Sequence, residues 1–363
     1  MTQPSQQEQR KKEHIAIAER FYRQPEFARD QFAGVRISHP SLPDTTLASV
    51  HLEQMLFNKT INYPIYINAM TGGTNQALVI NQKLAQLAAH FQLPMAVGSM
   101  SILKKEPELA TSFTTVRENH PEGLIFANIG ADHPADFAIE MIKLLNADAL
   151  QVHLNAAQEF AMPEGDQDYL WSKKLAHLQA TVGQNTPLIA KEVGFGMSAS
   201  TIAQLLALGI QNIDLSGISR TNFIEIENHR RKTALISDYS DFGLTVIESL
   251  LERLNVQQTL KQRPAITFAS GGISTPWQAV KCLALGGDLV GMSTYFLHLA
   301  LHHDLDEMMT LFAAWLTEFK GIFAMLGCRN VADLRQLSLI LSPELINFVQ
   351  QTDLDWQQFK QQR

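Results

Sequence analysis

Short apolar runs rich in β-branched residues recur along the chain, separated by longer stretches whose apolar positions fall three and four apart. The runs are Tyr63–Ala69, Met95–Gly98, Leu124–Ile129, Ala149–Asn155, Leu188–Val193, Asn212–Ser216, Ala265–Ser270 and Leu289–Met292, eight candidate strands in all. Between them, Asn75–Phe91, Ala135–Leu145, Ser198–Leu208 and Thr275–Leu285 carry the spacing of helices that bury one stripe on a sheet. The alternation predicts a parallel sheet, and eight such units predict a closed (β/α)8 TIM barrel of the α/β class. An open doubly wound sheet alternates similarly, but its first turn carries a full glycine fingerprint with an acidic residue about 20 positions on. Thr71-Gly72-Gly73 lacks that pattern.

The polar N-terminal residues lead into an amphipathic helix expected near residues 11–24, and the region after Asp304 reads as helices packed around the outside of the barrel. The expectation is a single domain over residues 1–363, with an N-terminal extension (1–60), a barrel core (61–300) and C-terminal helices (301–363). The longest irregular connection, Gly217–Phe242, carries Arg220, Arg230, Arg231 and Lys232 and follows the Asn212–Ser216 run, which puts it at the catalytic face of a barrel.

Composition narrows the function. Hydrophobic residues make up 45% and charged residues 18%, enough apolar material for a core and too little charge for disorder. A net charge of -7 supplies no global field for nucleic acid, so an anionic ligand must be held by a local cluster. Cys282 and Cys328 show neither metal spacing nor a disulfide framework, which fits a reducing cytoplasm. With no signal-like start and no long apolar run, a soluble protein outside the membrane is expected.

In a barrel the chemistry sits at the C-terminal strand ends. There the chain places Met70-Thr71, Ser99, Asn128, His153, Asn155 with Gln158-Glu159, Lys191-Glu192, Ser216 and Ser270-Gly271-Gly272. Glycines at the ends of the last two runs, Gly271, Gly272 and Gly291, expose backbone N–H groups that suit a phosphate, although a glycine pair also serves a tight turn. Lys191 ends an apolar run and needs an anionic partner, either a ligand or Glu192; strand alternation sends Lys191 and Glu192 opposite ways and favours the ligand. His153 and Asn155 share one side of their strand, and Glu159 beside Gln158 suits Mg²⁺ held together with substrate phosphate oxygens. Among 12 histidines only His153 keeps such company; the other eleven read as ordinary structural residues. Arg10-Lys11-Lys12 alone reads as a solvated charge run.

Taken jointly, Arg10-Lys11-Lys12-Glu13-His14, Asn68-Ala69-Met70-Thr71-Gly72-Gly73, His153-Leu154-Asn155 with Gln158-Glu159, and Lys191-Glu192-Val193-Gly194-Phe195-Gly196 resemble the type 2 isopentenyl diphosphate isomerases, in order and spacing from about residue 9 to 300. The resemblance implies FMN at the barrel mouth, touching Ala69, Met70, Thr71, Ser99, Asn128, Lys191, Ser216, Thr221, Gly271, Gly272, Gly291 and Met292. It implies Arg10, Lys11 and Gln158 as substrate contacts, Glu159 as the Mg²⁺ ligand, and His153, Asn155, Gln158 and Lys191 as the catalytic set. The implied reaction interconverts isopentenyl and dimethylallyl diphosphate with reduced FMN as the acid–base cofactor, NADPH or NADH keeping it reduced, in a homotetramer or homo-octamer. The chain departs from the family at Ser99-Met100-Ser101, where an arginine is common, and at Ile218-Ser219-Arg220, where a glycine-rich turn is common; Arg220 is a candidate replacement for the missing arginine. The alternative flavin-barrel chemistry, an FMN-dependent 2-hydroxy acid oxidase, requires a histidine base near the late strands, and His229 lies deep in the long loop instead. A noncatalytic flavin- or phosphate-binding barrel would explain the glycines but not Gln158-Glu159.

Overall fold

The eight apolar runs close on themselves. In the computed structural model, which describes residues 6–23, 31–162, 165, 167–219, 222–230, 239 and 242–359, the strands are β1 (Val35–Ile37), β2 (Gln54–Leu56), β3 (Lys59–Ile61), β4 (Ile65–Ile67), β5 (Met95–Ala96), β6 (Ile125–Gly130), β7 (Ala149–Leu154), β8 (Leu188–Glu192), β9 (Asn212–Asp214), β10 (Ile266–Ser270), β11 (Leu289–Met292) and β12 (Leu339–Leu341). Strands β4 to β11 pair in parallel in chain order, and β11 returns to β4 to complete a TIM barrel.

The helices are α1 (Gln6–Arg23), α2 (Asn75–Phe91), α3 (Thr111–Asn119), α4 (Ala135–Leu145), α5 (Ala156–Ala161), α6 (Trp171–Thr181), α7 (Ala199–Ala207), α8 (Phe223–Arg230), α9 (Val246–Leu260), α10 (Pro276–Ala284), α11 (Thr294–His302), α12 (Leu305–Met325), α13 (Val331–Leu334), α14 (Pro343–Gln351) and α15 (Trp356–Phe359). Their starts are set locally: Thr245, Thr275 and Asp304 each accept from the third backbone N–H of α9, α10 and α12, and Glu248, Gln278 and Glu307 complete capping boxes. None of the described helices is long and apolar enough to cross a membrane.

Side chains alternate along each strand, and the inward set changes character from bottom to top. Tyr66, Phe126 and Phe268 fill the barrel, their ring centroids 5.2 to 6.3 Å apart, so the interior is a packed core rather than a pore. The antiparallel hairpin β2–β3 brings Leu56 and Ile61 into that same core cluster. Its turn places Phe57 and Asn58 in the left-handed region, as a two-residue hairpin loop requires. Two residues further along these three strands the inward positions turn polar, with Asn68, Asn128 and Ser270.

Two features depart from the sequence reading. The C-terminal region is not helical throughout: β12 pairs antiparallel with β1, Val35 opposite Leu341, and so joins the two ends of the chain outside the barrel. The N-terminal helix begins at Gln6, earlier than the amphipathic spacing suggested. Cys282 and Cys328 are both buried and free, and burial raises both thiols, Cys328 to about 11, so neither is primed as a nucleophile.

Candidate active site

Within its C-terminal half or just past its end, each barrel strand turns one side chain or glycine into a common cavity of about 420 Å³: Asn68, Gly98, Asn128, His153, Lys191, Ser216, Ser270 and Gly291. Ala69, Met70, Ser99, Asn155, Gln158, Glu159, Gly271 and Gly272 line it as well. Helix α1 lies over the opening and contributes Arg10 and Lys11. Its position is fixed by α8: His14 Nε2 lies 2.8 Å from the buried Glu227, and Arg230 bonds both Glu227 and Glu13.

The floor under Lys191 is an anionic centre that the sequence reading missed. Asp214, fully buried and in parallel register with Lys191, accepts from Tyr66 O–H at 2.5 Å, Ser270 Oγ at 2.5 Å and Asn68 Nδ2 at 3.2 Å. Lys191 Nζ sits 3.5 Å from the Asp214 carboxylate and donates to Ser216 Oγ at 3.2 Å and to the Glu192 carbonyl at 2.9 Å. The ammonium therefore has an internal counter-ion, and it is Asp214 rather than the Glu192 carboxylate. Ser216 takes a left-handed φ of 39°, a strained backbone for serine, at the point where its hydroxyl meets Lys191. The Glu192 carboxyl turns away to the backbone N–H of Phe195; burial pushes it up to about 8.

His153 is held neutral. Burial, together with His133, Lys191, Lys11 and Arg10, drops it to about 3. Asn128 Nδ2 donates to Gln151 Oε1, so Asn128 Oδ1 accepts from His153 Nδ1 at 2.8 Å and leaves Nε2 as the ring's lone pair. A neutral imidazole there accepts hydrogen bonds and is no proton donor near neutral pH.

The other lobe is cationic. Among the described residues, Arg10, Lys11, Lys104 and Lys105 line it with two carboxylates, Asp132 and Glu159, a local positive field in a chain of net charge -7. Lys11 Nζ donates to the Ser99 carbonyl at 2.8 Å, and burial with Arg10 alongside lowers it to about 7, opposed by Glu106. An anion between Arg10 and Lys11 would relieve that repulsion. Glu159, in the first turn of α5, accepts from Asn155 Nδ2 at 2.7 Å, a fixed carboxylate oxygen of the kind that a hard cation shares with phosphate. Lys104 and Lys105 come from the segment following Ser99-Met100-Ser101.

On the β10–β11 side the chain has the form of a phosphate cradle. Gly271 and Gly272 take φ of 116° and 73°, and a Cβ at Gly271 would lie 2.3 Å from the Gly217 carbonyl oxygen. Helix α11 begins beside them with Ser293 and Thr294 in the cavity wall, and no side chain of Ser293 caps its first-turn N–H groups. The glycines, the uncapped helix start and the Lys191–Ser216 donors fit the phosphate and the polar ring edge of a flavin mononucleotide.

Two expected contacts lie outside the cavity. Thr71 is buried beneath it with its hydroxyl on Asn81 Oδ1 at 2.5 Å, and Met292 is buried one residue past Gly291, on the opposite face of β11. Thr221 and Arg220 lie outside the described residues. Histidine reasoning passed over His14 and His133, which both line the cavity. His14 shares a helix face with Arg10, one turn away, and His133 follows Gly130 at the end of β6, where its Nε2 meets Ser101 Oγ at 2.7 Å.

Several proteins resemble this chain over nearly its whole length. The isopentenyl-diphosphate delta-isomerase of Staphylococcus saprophyticus is 41% identical over 352 residues, covering 97% of this chain and 99% of its own. That of Latilactobacillus sakei is 40% identical over 356 residues, covering 98% and 99%. No family model matches. Among solved structures, a flavocytochrome b2 variant with sulfite bound aligns with a TM-score of 0.66 at 17% identity, covering 91% of this chain and 83% of that one. A mandelate oxidase variant carrying a monooxide FMN adduct aligns with a TM-score of 0.57 at 14% identity, covering 91% and 92%. Likeness at that identity is a likeness of fold.

Proposed function

The chain belongs to the isopentenyl-diphosphate delta-isomerase family, and we propose that it reversibly converts isopentenyl diphosphate to dimethylallyl diphosphate with reduced FMN and Mg²⁺. The observation that carries this reading is one cavity holding both the Lys191–Gly271–Gly272 lobe and the Arg10–Lys11–Glu159 lobe. The first suits a flavin phosphate and ring, the second a metal-bound diphosphate.

When bound, reduced FMN supplies the acid–base chemistry that adds a proton at one carbon of the alkene and removes one from another without net redox change; NADPH or NADH serves only to keep it reduced. The chain's own residues bind and orient. Ala69, Met70, Ser99, Asn128, Ser216, Gly271, Gly272 and Gly291 shape the flavin lobe, and Lys191, seated on Asp214, puts a fixed positive charge at its floor. Arg10, Lys11 and Gln158 hold the diphosphate, with Lys104 and Lys105 adding charge where the arginine is missing, and Glu159 shares Mg²⁺ with it. His153 and Asn155 border the alkene space, His153 as a neutral group that does not compete for the proton. Binding energy from the diphosphate end orients the alkene and excludes water. The protein acts as a single-domain cytoplasmic enzyme in a homotetramer or homo-octamer. Among the described residues no histidine of β9 to β11 lines the cavity, which disfavours 2-hydroxy acid oxidation.

Glu159→Gln tests the substrate lobe. With Mg²⁺ and reduced FMN, the wild type forms dimethylallyl diphosphate, and the variant shows a KM raised by about tenfold or more, a loss of ground-state binding worth ~1.4 kcal/mol. Unchanged saturation in the variant removes Glu159 from the site, and a wild type that forms no product refutes the proposed activity.

A further inference from the structure

Helix α1 is held at a second place, away from the cavity. Glu19 follows Lys11 by two helical turns, about 12 Å along the axis, and points to α11 instead of the barrel mouth. There His298 Nδ1 and His302 Nε2 approach the same carboxylate oxygen, Glu19 Oε1, at 2.8 and 2.9 Å. We propose that Glu19, His298 and His302 form a transition-metal site, of the kind that takes Zn²⁺, that clamps α1 to α11 on the outside of the barrel.

Three observations converge on it. His298 and His302 stand one turn apart on a single helix face with ring centroids 4.7 Å apart, the i,i+4 spacing that aims two imidazoles at one ion. The three donor atoms all lie within 4.8 Å of one another. Tetrahedral Zn²⁺ with ligands at roughly 2.0–2.1 Å needs donors about 3.3 Å apart, a separation inside the span the three donor atoms occupy. Glu19 Oε2 is buried and has no hydrogen-bond partner among the described residues, although two imidazoles crowd its sister oxygen. A cation within the triad gives that carboxylate a charge partner that two hydrogen bonds to one oxygen do not.

The donor set selects the ion. Two imidazole nitrogens and one carboxylate suit Zn²⁺, Co²⁺ or Ni²⁺, whereas Mg²⁺ prefers an all-oxygen shell, so the triad is chemically distinct from Glu159. His302 is exposed and His298 half-buried, which leaves the ion a solvent entry and a water in its fourth position. Tyr22 packs on the His298 ring at 4.9 Å and holds its orientation, while His303 turns to Glu307.

The test is calorimetric titration of the full-length, metal-stripped protein with ZnCl2 in saturating Mg²⁺, with thermal unfolding followed in parallel. The expected result is one Zn²⁺ per chain, a raised unfolding midpoint, and affinity weakened by more than about tenfold in His302→Ala and in Glu19→Gln. Because His302 is exposed, His302→Ala should unfold like the parent in zinc-free buffer. Absence of zinc binding in the wild type, equal affinity in His302→Ala, or displacement of the zinc by Mg²⁺ would each overturn the assignment.

Discussion

Replacing Asp214 with alanine is expected to cost the folded chain about 3–5 kcal/mol, the penalty for stranding a buried charge. Asp214 is fully buried, accepts from Tyr66, Ser270 and Asn68, and faces Lys191 Nζ at 3.5 Å. Its loss leaves an ammonium without a counter-ion and three donors without their acceptor in one step. Tyr66 is a poor substitute for the missing anion: burial, the largest of the causes that hold its phenol above the ordinary range, remains when Asp214 is gone. Against a typical total of roughly 5–15 kcal/mol, denaturant unfolding of Asp214→Ala should show a large fall in midpoint. A loss below about 1 kcal/mol would mean that Lys191 finds another anion and that Asp214 does not organise the floor.

Lys191→Ala should show the reverse balance. Without Lys191 the Asp214 carboxylate keeps its three donors, so the fold survives at a smaller stability cost. Activity should suffer more, because the fixed positive charge at the flavin floor is gone; removing one preorganised electrostatic group costs about 10²–10³ in turnover. Anaerobic kinetics with reduced FMN should therefore show kcat down by at least about 100-fold, with weaker flavin binding. Full turnover in Lys191→Ala would remove it from the catalytic set. The two variants together separate the counter-ion, whose loss is read in unfolding, from the cation, whose loss is read in catalysis.

The barrel was legible because its strands are buried on both sides and so read as short apolar runs; each candidate run contains most or all of an observed strand. What sequence hid was pairing at a distance. Strands β1 and β12 are three residues each, too short to display a period, and their register joins Val35 to Leu341. Asp214 was passed over because it sits between Ile213 and Leu215 in an apolar run; its meaning appears only when β8 and β9 align and Lys191 falls opposite it. A charged residue inside a predicted barrel strand was the available signal. Met292, which the resemblance implies as a flavin contact, follows Gly291, and strand alternation turns its side chain away from the mouth that Gly291 faces. His133 gave no signal of its own, since it lies in a loop and is placed by the fold.

In the proposed reaction this cavity isomerises isopentenyl diphosphate through a flavin that must be reduced. The most direct measurement supplies isopentenyl diphosphate, Mg²⁺ and FMN to the purified protein under anaerobic conditions, with NADPH in one sample and the flavin kept oxidised in another. Dimethylallyl diphosphate in the reduced sample alone is the result expected; equal product with oxidised flavin, or no product despite bound FMN, would contradict the account.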